Sequence, residues 1–438
     1  MADGVQGLAG LIDHARRLGA KGAEVLVTTM EGIILEVQRR KIVRNDATHS
    51  DQVVVRCWDE RGGEGVAKAT SPSEGLVEEA LAKAVRATGD MAAGPVGRLS
   101  APIGGLGIDD RRHSLLTLND RSDVILSAEK GARSADRRVR TDGFRYGDRR
   151  VHRQFVNSRG LSFQDWSTFY EAQGTVLITD DFGDIALTDE LSSRAFASIA
   201  SMPFGSSLVE RLLALTGPPQ KIAGPVRVLL PPRVVASLFE KIGTLFSVDD
   251  LETGRTFLGR AAQAAGNQPI FDTRVHLLDD GTVPGSLRTH AFDDRGVTPV
   301  PLTLLKEGKV DGRFIDPNTA RRRDLRSTGH WYGDGMRPNN LILRGGNRSI
   351  NVLLSEAEEP VLVVDAATGG LDEVTGEIRW RVFGRLIRKN QLIGPVRGAL
   401  LTGNVLEVLK GGVDLASDTD RLGHVDAPGM LLDGFSAE

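Results

Sequence analysis

Glu240 stands in the stretch VASLFEKIGT, residues 235–244, shortly after the double proline Pro231-Pro232. A carboxylate on a helix can serve as a general base, or as a metal ligand when imidazoles or thiolates share its surface. At about 100° per residue, Val235, Leu238, Phe239, Ile242, Leu245 and Phe246 fall within one apolar arc of roughly 120°. Ser237, Glu240, Lys241 and Thr244 take the remaining surface. The helix should therefore bury Phe239 and turn Glu240 toward a polar face, where a solvated or interface role is the plainest reading.

The other reactive residue types are scattered. None of the eight histidines has a second histidine four residues away on a helix. HAFDD sets His290 near Asp293 and Asp294, and HWYGD sets His330 near Asp334. Either could gather a metal, but the spacing is loose for zinc, and exposed loop positions are expected for both. The single cysteine, Cys57, precludes an intrachain disulfide and a cysteine-rich zinc site. No G-x-S-x-G elbow and no phosphate-binding loop occur; GGLGIDD reads as a plain loop. RPNNLILRGG offers Arg337 as a planar charged fork, with Asn339 and Asn340 as amides that can pair with peptide groups. The same Pro-Asn-Asn run is good turn chemistry before a strand, so both uses stay open.

The elements that must position these groups read as α+β. Val5, Leu8, Leu11, Ile12 and Leu18 mark an N-terminal amphipathic helix. AEVLVTTMEGIILEVQRRKIV reads as two strands joined at Glu31-Gly32, and DQVVVRCWDERGGEGVAKAT as two more joined at Arg61-Gly62-Gly63. A helix follows, with Ser71 as cap and Glu74 completing a capping box. Gly and Pro thicken over residues 91–110, as an internal boundary (near 90–112) or a crossing loop. A helix over Asp120–Asp136, several short strands and a further helix lead to TGPPQKIAGPVRVLLPP. This gives an N-terminal α/β-layer domain over 1–220 and a C-terminal domain rich in antiparallel sheet over 221–438.

Composition narrows the class. The 438 residues are 40% hydrophobic and 26% charged, with a net charge of −3, as in a folded soluble protein. The basic stretches RSADRRVRTDGFRYGDRRVHRQF and RRRDLRSTG are interleaved with acids, so nucleic acid is not the expected partner. The N-terminal MADGVQGLAGLIDHARR lacks the long apolar core of a signal peptide, and no apolar run reaches the roughly 18 residues of a membrane helix. No membrane association and a cytoplasmic location are expected.

From about Val226 onward the chain holds, in order, LPPRVVASLFEKIGTLFSVDD, FDDRGVTPVPLTLLKEGKVDGRFIDPNTARRRDLRSTG, RPNNLILRGGN and GEIRWRVFGRLIRKNQLIGPVRGALLTGNVLEVL. In these stretches it resembles the TldD/TldE (PmbA) metallopeptidase family. AEVLVTTMEG and VVVRCWDERGGEGVAKATS extend the resemblance toward the N-terminus. In TldD-type chains the central helix carries His-Glu-x-x-x-His, which binds zinc and supplies the base. The resemblance places Phe239 and Thr244 at the two histidines and Glu240 at the glutamate. A thiolate ligand from near the C-terminus is also lacking, since DTDRLGHVDAPGMLLDG holds no cysteine. These degenerate zinc-motif positions resemble the TldE type. The resemblance implies a non-catalytic subunit with no metal of its own. It would pair with a zinc-bearing TldD-like chain as a heterodimer and act on peptide or unfolded polypeptide in a chamber between the subunits. Two alternatives stand beside it: a non-enzymatic regulatory protein of the gyrase-modulator type, and a self-sufficient amide hydrolase built around His290 and His330.

Overall fold

The computed structural model describes residues 2–89, 93–96 and 104–438, with side chains from Gly7 onward. The side chain of Val5 and much of the 91–110 loop lie outside the described residues. In chain order the first half holds α1 (Ala2–Arg17), β1 (Gly22–Gln38), β2 (Lys41–Trp58), β3 (Glu64–Ala69) and α2 (Glu74–Arg86). It continues through α3 (Leu118–Ala135), β4 (Arg140–Asn157), β5 (Ser162–Asp180), β6 (Gly183–Ser193), α4 (Phe196–Ala200) and α5 (Phe204–Leu213). The six strands form one sheet in the order β3-β2-β1-β4-β5-β6. Helix–three strands–helix thus occurs twice, and the two sets meet at the antiparallel β1–β4 pair. β3 and β4, on either side of residues 90–112, belong to the same sheet.

Several local expectations are corrected. No turn forms at Glu31-Gly32. β1 runs straight through it, and the hairpin turns at Arg39-Arg40, both at positive φ (51° and 65°). Gly32 is a packing residue: a Cβ there would stand 2.0 Å from the Asp148 carbonyl oxygen on β4. Gly32→Ala is therefore expected to cost about 2 kcal/mol, read as a lowered denaturation midpoint; an unchanged midpoint would contradict this close approach. The expected short strands over 139–179 are two long ones, β4 and β5, whose Gly and Asn residues sit within strands or at the single turn between them. α2 begins at Glu74 with Ser73 at the cap and no side-chain cap bond. The capping box lies instead on α3, where Thr117 and Asp120 bond reciprocally. The next helix is broken at residues 201–203, because Pro203 lacks the N–H that a continuous helix requires.

The second half holds β7 (Gly224–Leu230), α6 (Pro232–Gly243), α7 (Val248–Thr253), α8 (Phe257–Ala265), β8 (Leu277–Asp279), β9 (Leu302–Lys306), β10 (Lys309–Val310) and α9 (Pro317–Arg322). β11 (Trp331–Tyr332), β12 (Gly335–Met336), β13 (Leu341–Leu343) and α10 (Ile350–Glu356) follow. The chain ends with β14 (Val361–Leu371), β15 (Glu377–Arg388), β16 (Gln391–Asn404), α11 (Val405–Val408), β17 (Asp414–Leu422) and β18 (Val425–Ala437). Ten of these strands form one mostly antiparallel sheet. The pairings β18–β16–β15–β14–β7 close back on β18. α6 packs on β18 and β17 through the predicted stripe: Val235, Leu238, Phe239, Ile242, Leu245 and Phe246 are all buried in the largest core cluster. No helix of the described residues is long and apolar enough to cross a membrane.

Alternation along β1 divides the labour of the first sheet. One face carries Val25, Val53 and Val55 against α1 and α2, and Leu35 and Val37 against α3 and α5. The other face meets the second half of the chain. There the row Leu26, Val54, Phe155 and Phe163 packs with Phe292 and Val297. Beside it Glu24 Oε1 lies 2.8 Å from Arg295 Nε and 3.3 Å from Arg56 Nη1, all three side chains buried.

Candidate functional site

Moving along the same face, the apolar row gives way to polar ones. The next row, by strand register, is Gln52, Thr28, Arg153 and Asp165; then come Met30, Val151 and Ser167; then Arg149 and Phe169. All of these side chains except Arg149 floor a cavity of about 400 Å³, roofed from the second half by residues 287–290, Asp294, Tyr332 and Arg337. A second cavity of about 260 Å³ shares Phe169, Leu287 and Arg288 and reaches His424. Arg288 stands on the wall between them.

Of the three zinc-motif positions, one reaches residues that line these cavities. Phe239 is fully buried in the core. Thr244 caps the end of α6 and its hydroxyl donates back to the Lys241 carbonyl at 2.8 Å. Glu240 remains 47% exposed, 3.9 Å from Arg288 Nη2 and 3.8 Å from His424 Nδ1. Burial, then the charge of Arg288, push His424 down to about 3, so this histidine is neutral near pH 7 and forms no ion pair with Glu240. Zinc needs about three protein ligands and an open position. Glu240 and His424, with a guanidinium beside them, do not fit that ion. Among the described residues no group of three or more His, Cys, Asp or Glu is placed to hold a metal.

The substrate-side candidates separate. Arg337 is exposed at the cavity, and its guanidinium has no hydrogen-bond or ion-pair partner among the described residues. Asn339 and Asn340 are buried and held by protein partners. Asn339 Oδ1 accepts from the Tyr332 hydroxyl (2.6 Å), and its backbone N–H donates to Asp279 (2.7 Å). Asn340 Nδ2 donates to the Asp280 carbonyl (2.7 Å) and Thr289 Oγ1 (3.1 Å), while its Oδ1 accepts the Arg288 N–H (3.0 Å). The two amides thus pin the cavity roof.

The expected exposure of His290 and His330 is corrected: both are buried. His330 contacts Asp279 Oδ1 at 2.8 Å and Thr328 Oγ1 at 3.0 Å, and stacks on Phe314. His290 Nδ1 lies 2.9 Å from the Arg288 carbonyl and 2.7 Å from the Tyr332 hydroxyl. Burial, then Arg153, lower His290 to about 3. Asp293, near it in sequence, accepts backbone N–H groups from Arg295, Val297 and Trp331 and holds the loop. The thiol of Cys57 is buried, and burial and Glu24 push it up to about 12, which leaves it unreactive. Sequence reasoning missed Arg153, Arg194, Arg288, Tyr332 and His424. Only the alternation of Arg149, Val151 and Arg153 on one strand face carried a local signal; the others converge through topology.

Two family models match the chain: the PmbA/TldA metallopeptidase central domain over residues 113–216 and its C-terminal domain over 223–438. The chain belongs to the PmbA/TldD metallopeptidase family. The metalloprotease PmbA of Escherichia coli O157:H7 is 22% identical over 429 residues, covering 94% of this chain and 91% of that protein. A metalloprotease TldD homolog of Haemophilus influenzae is 24% identical over 153 residues, about a third of each chain (33% and 32%). Among solved structures, a Thermotoga maritima protein described as a candidate modulator of DNA gyrase superposes with TM-score 0.88 at 19% identity, over 98% of this chain and 99% of that one. TldE from Thermococcus kodakarensis superposes with TM-score 0.82 at 19% identity, over the same shares. At these identities the likeness is one of fold.

Proposed function

We propose that this chain is the non-catalytic, TldE-like subunit of a cytoplasmic heterodimeric zinc metallopeptidase that hydrolyses peptide or related amide bonds. A TldD-like partner carries the zinc, its water and the general base; this chain completes the substrate chamber. The observation that carries the reading is the face α6 turns to the cleft. Of the three zinc-motif positions it presents only Glu240, opposed by Arg288 and a neutral His424, while Phe239 is a core residue and Thr244 caps the helix end. With phenylalanine and threonine at the two ligand positions, the helix offers no imidazole to hold a metal-bound water beside this carboxylate. The family membership and the fold shared with a TldE support the pairing.

Co-expression with a TldD-like chain tests the assembly: the two are expected to co-purify as a complex. An isolated chain that stays monomeric and ignores such a partner would sink it. Glu240→Gln separates a remnant from a working base. General bases contribute about 10²–10⁴-fold in rate, so retention of most of the complex's peptidase rate is expected. A drop of that size would return Glu240 to the chemistry.

A further inference from the structure

We propose that the interdomain cavity binds the C-terminal end of a peptide, its free α-carboxylate held by Arg337 and Arg288 and its last side chain set against Met30, Val151 and Phe169. The cavity is lined by four arginines against two aspartates. Both aspartates answer one arginine: Arg153 pairs with Asp165 at 3.1 and 2.7 Å and approaches Asp294 at 3.5 Å. Arg194 is buried over the Phe169 ring and, among the described residues, donates only to main-chain carbonyls, including those of Thr168 and Thr289. It has no carboxylate partner among the described residues. Arg288 gives Nη1 to the Pro338 carbonyl (2.9 Å) and keeps Nη2 3.9 Å from Glu240. Arg337 is free. Positive charge is therefore in excess where the cavity opens.

The protonation behaviour agrees. Burial, then the charge of Arg153, push Arg194 down to about 9, and burial lowers Arg288 as well. An anion in the cavity would relieve both. A planar guanidinium suits a carboxylate through paired N–H donors. The apolar walls suit the attached side chain, and the volume lies within the about 300–1,000 Å³ of small-ligand pockets. That the carboxylate belongs to a peptide rests on the subunit reading above; the preference for a carboxylate rests on the arginines.

The test uses the isolated full-length chain. A labelled pentapeptide with an apolar last residue is titrated by fluorescence anisotropy at low salt, once as the free acid and once as the amide. The acid is expected to bind about tenfold more tightly or better, the scale of hydrogen bonds to a charged group. Arg337→Glu, a surface change that should leave the circular dichroism unaltered, is expected to remove the preference, and Arg288→Gln to weaken it. Equal binding of acid and amide, or indifference to Arg337→Glu, would overturn the site. An amidated peptide with an internal glutamate that binds as well as the acid would overturn the terminal assignment. Inorganic phosphate displacing the peptide more effectively than acetate would overturn the carboxylate assignment. No partner chain is needed, so this result and the subunit reading can fail separately.

Discussion

Arg295→Ala is expected to cost about 3–5 kcal/mol of stability, because it leaves a buried carboxylate short of its closest countercharge. Arg295 is 1% exposed, 2.8 Å from Glu24 and 3.8 Å from Glu64, and lies 5.4 Å from the ring centres of both Trp58 and Trp331. It ties the first sheet to the loop that roofs the cavity. Burial raises the Glu24 pKa, while Arg295 and then Arg56 pull it down. Without Arg295 the rise must be greater. A carboxyl with a folded-state pKa above its unfolded value favours the fold at low pH and loses that contribution as pH rises through the folded value. The gap between Arg295→Ala and the unmodified chain should therefore be smaller near about pH 5 than near about pH 8. Denaturation midpoints at the two pH values measure it; a gap that narrows with rising pH would contradict the assignment. Glu24→Gln with Arg295→Met should recover part of the loss, since the pair's desolvation is removed together.

Asp279→Ala is expected to cost about 3 kcal/mol. Asp279 is wholly buried at the end of β8. It accepts from His330 on one oxygen and from the Asn339 N–H on the other. Removing it strands an imidazole and a backbone donor where water does not reach. The damage should extend to the cavity roof, because Asn339 also receives the Tyr332 hydroxyl. Asp279→Asn keeps an acceptor for one of the two donors and should cost less. Chemical denaturation of the three proteins orders them; equal stability of the alanine and asparagine forms would show that hydrogen bonding is not what Asp279 provides.

The amphipathic stripe of α6 was legible from spacing alone, because 3.6-residue periodicity is a local property. Its burial of Phe239 and its partial exposure of Glu240 follow from that period. The α+β class was legible for the same reason, as were the turn at Arg61-Gly63 and the helix over 118–135. The turn at Arg39-Arg40 was not. Two arginines at positive φ are unusual turn residues, whereas Gly32 imitates a turn signal while making room for a neighbouring strand. The site was harder still. Arg153 and Arg288 line one cavity, and Arg288 and His424 the other, only because β4, the 287–290 segment and the β17–β18 turn converge across the sheet face. His290 and His330 have polar neighbours in sequence that suggest loops in water, yet their partners, Tyr332 and Asp279, arrive from other segments and allow burial.

The most direct test of the subunit reading measures metal and activity together. This chain, a TldD-like chain, and their mixture are purified, and each is assayed for bound zinc and for cleavage of an unfolded polypeptide. Zinc is expected to follow the TldD-like chain, this chain alone to bind no stoichiometric zinc and cleave nothing, and the mixture to cleave. Stoichiometric zinc in this chain alone, with peptide cleavage by it, would make it a metallopeptidase in its own right and contradict a non-catalytic role.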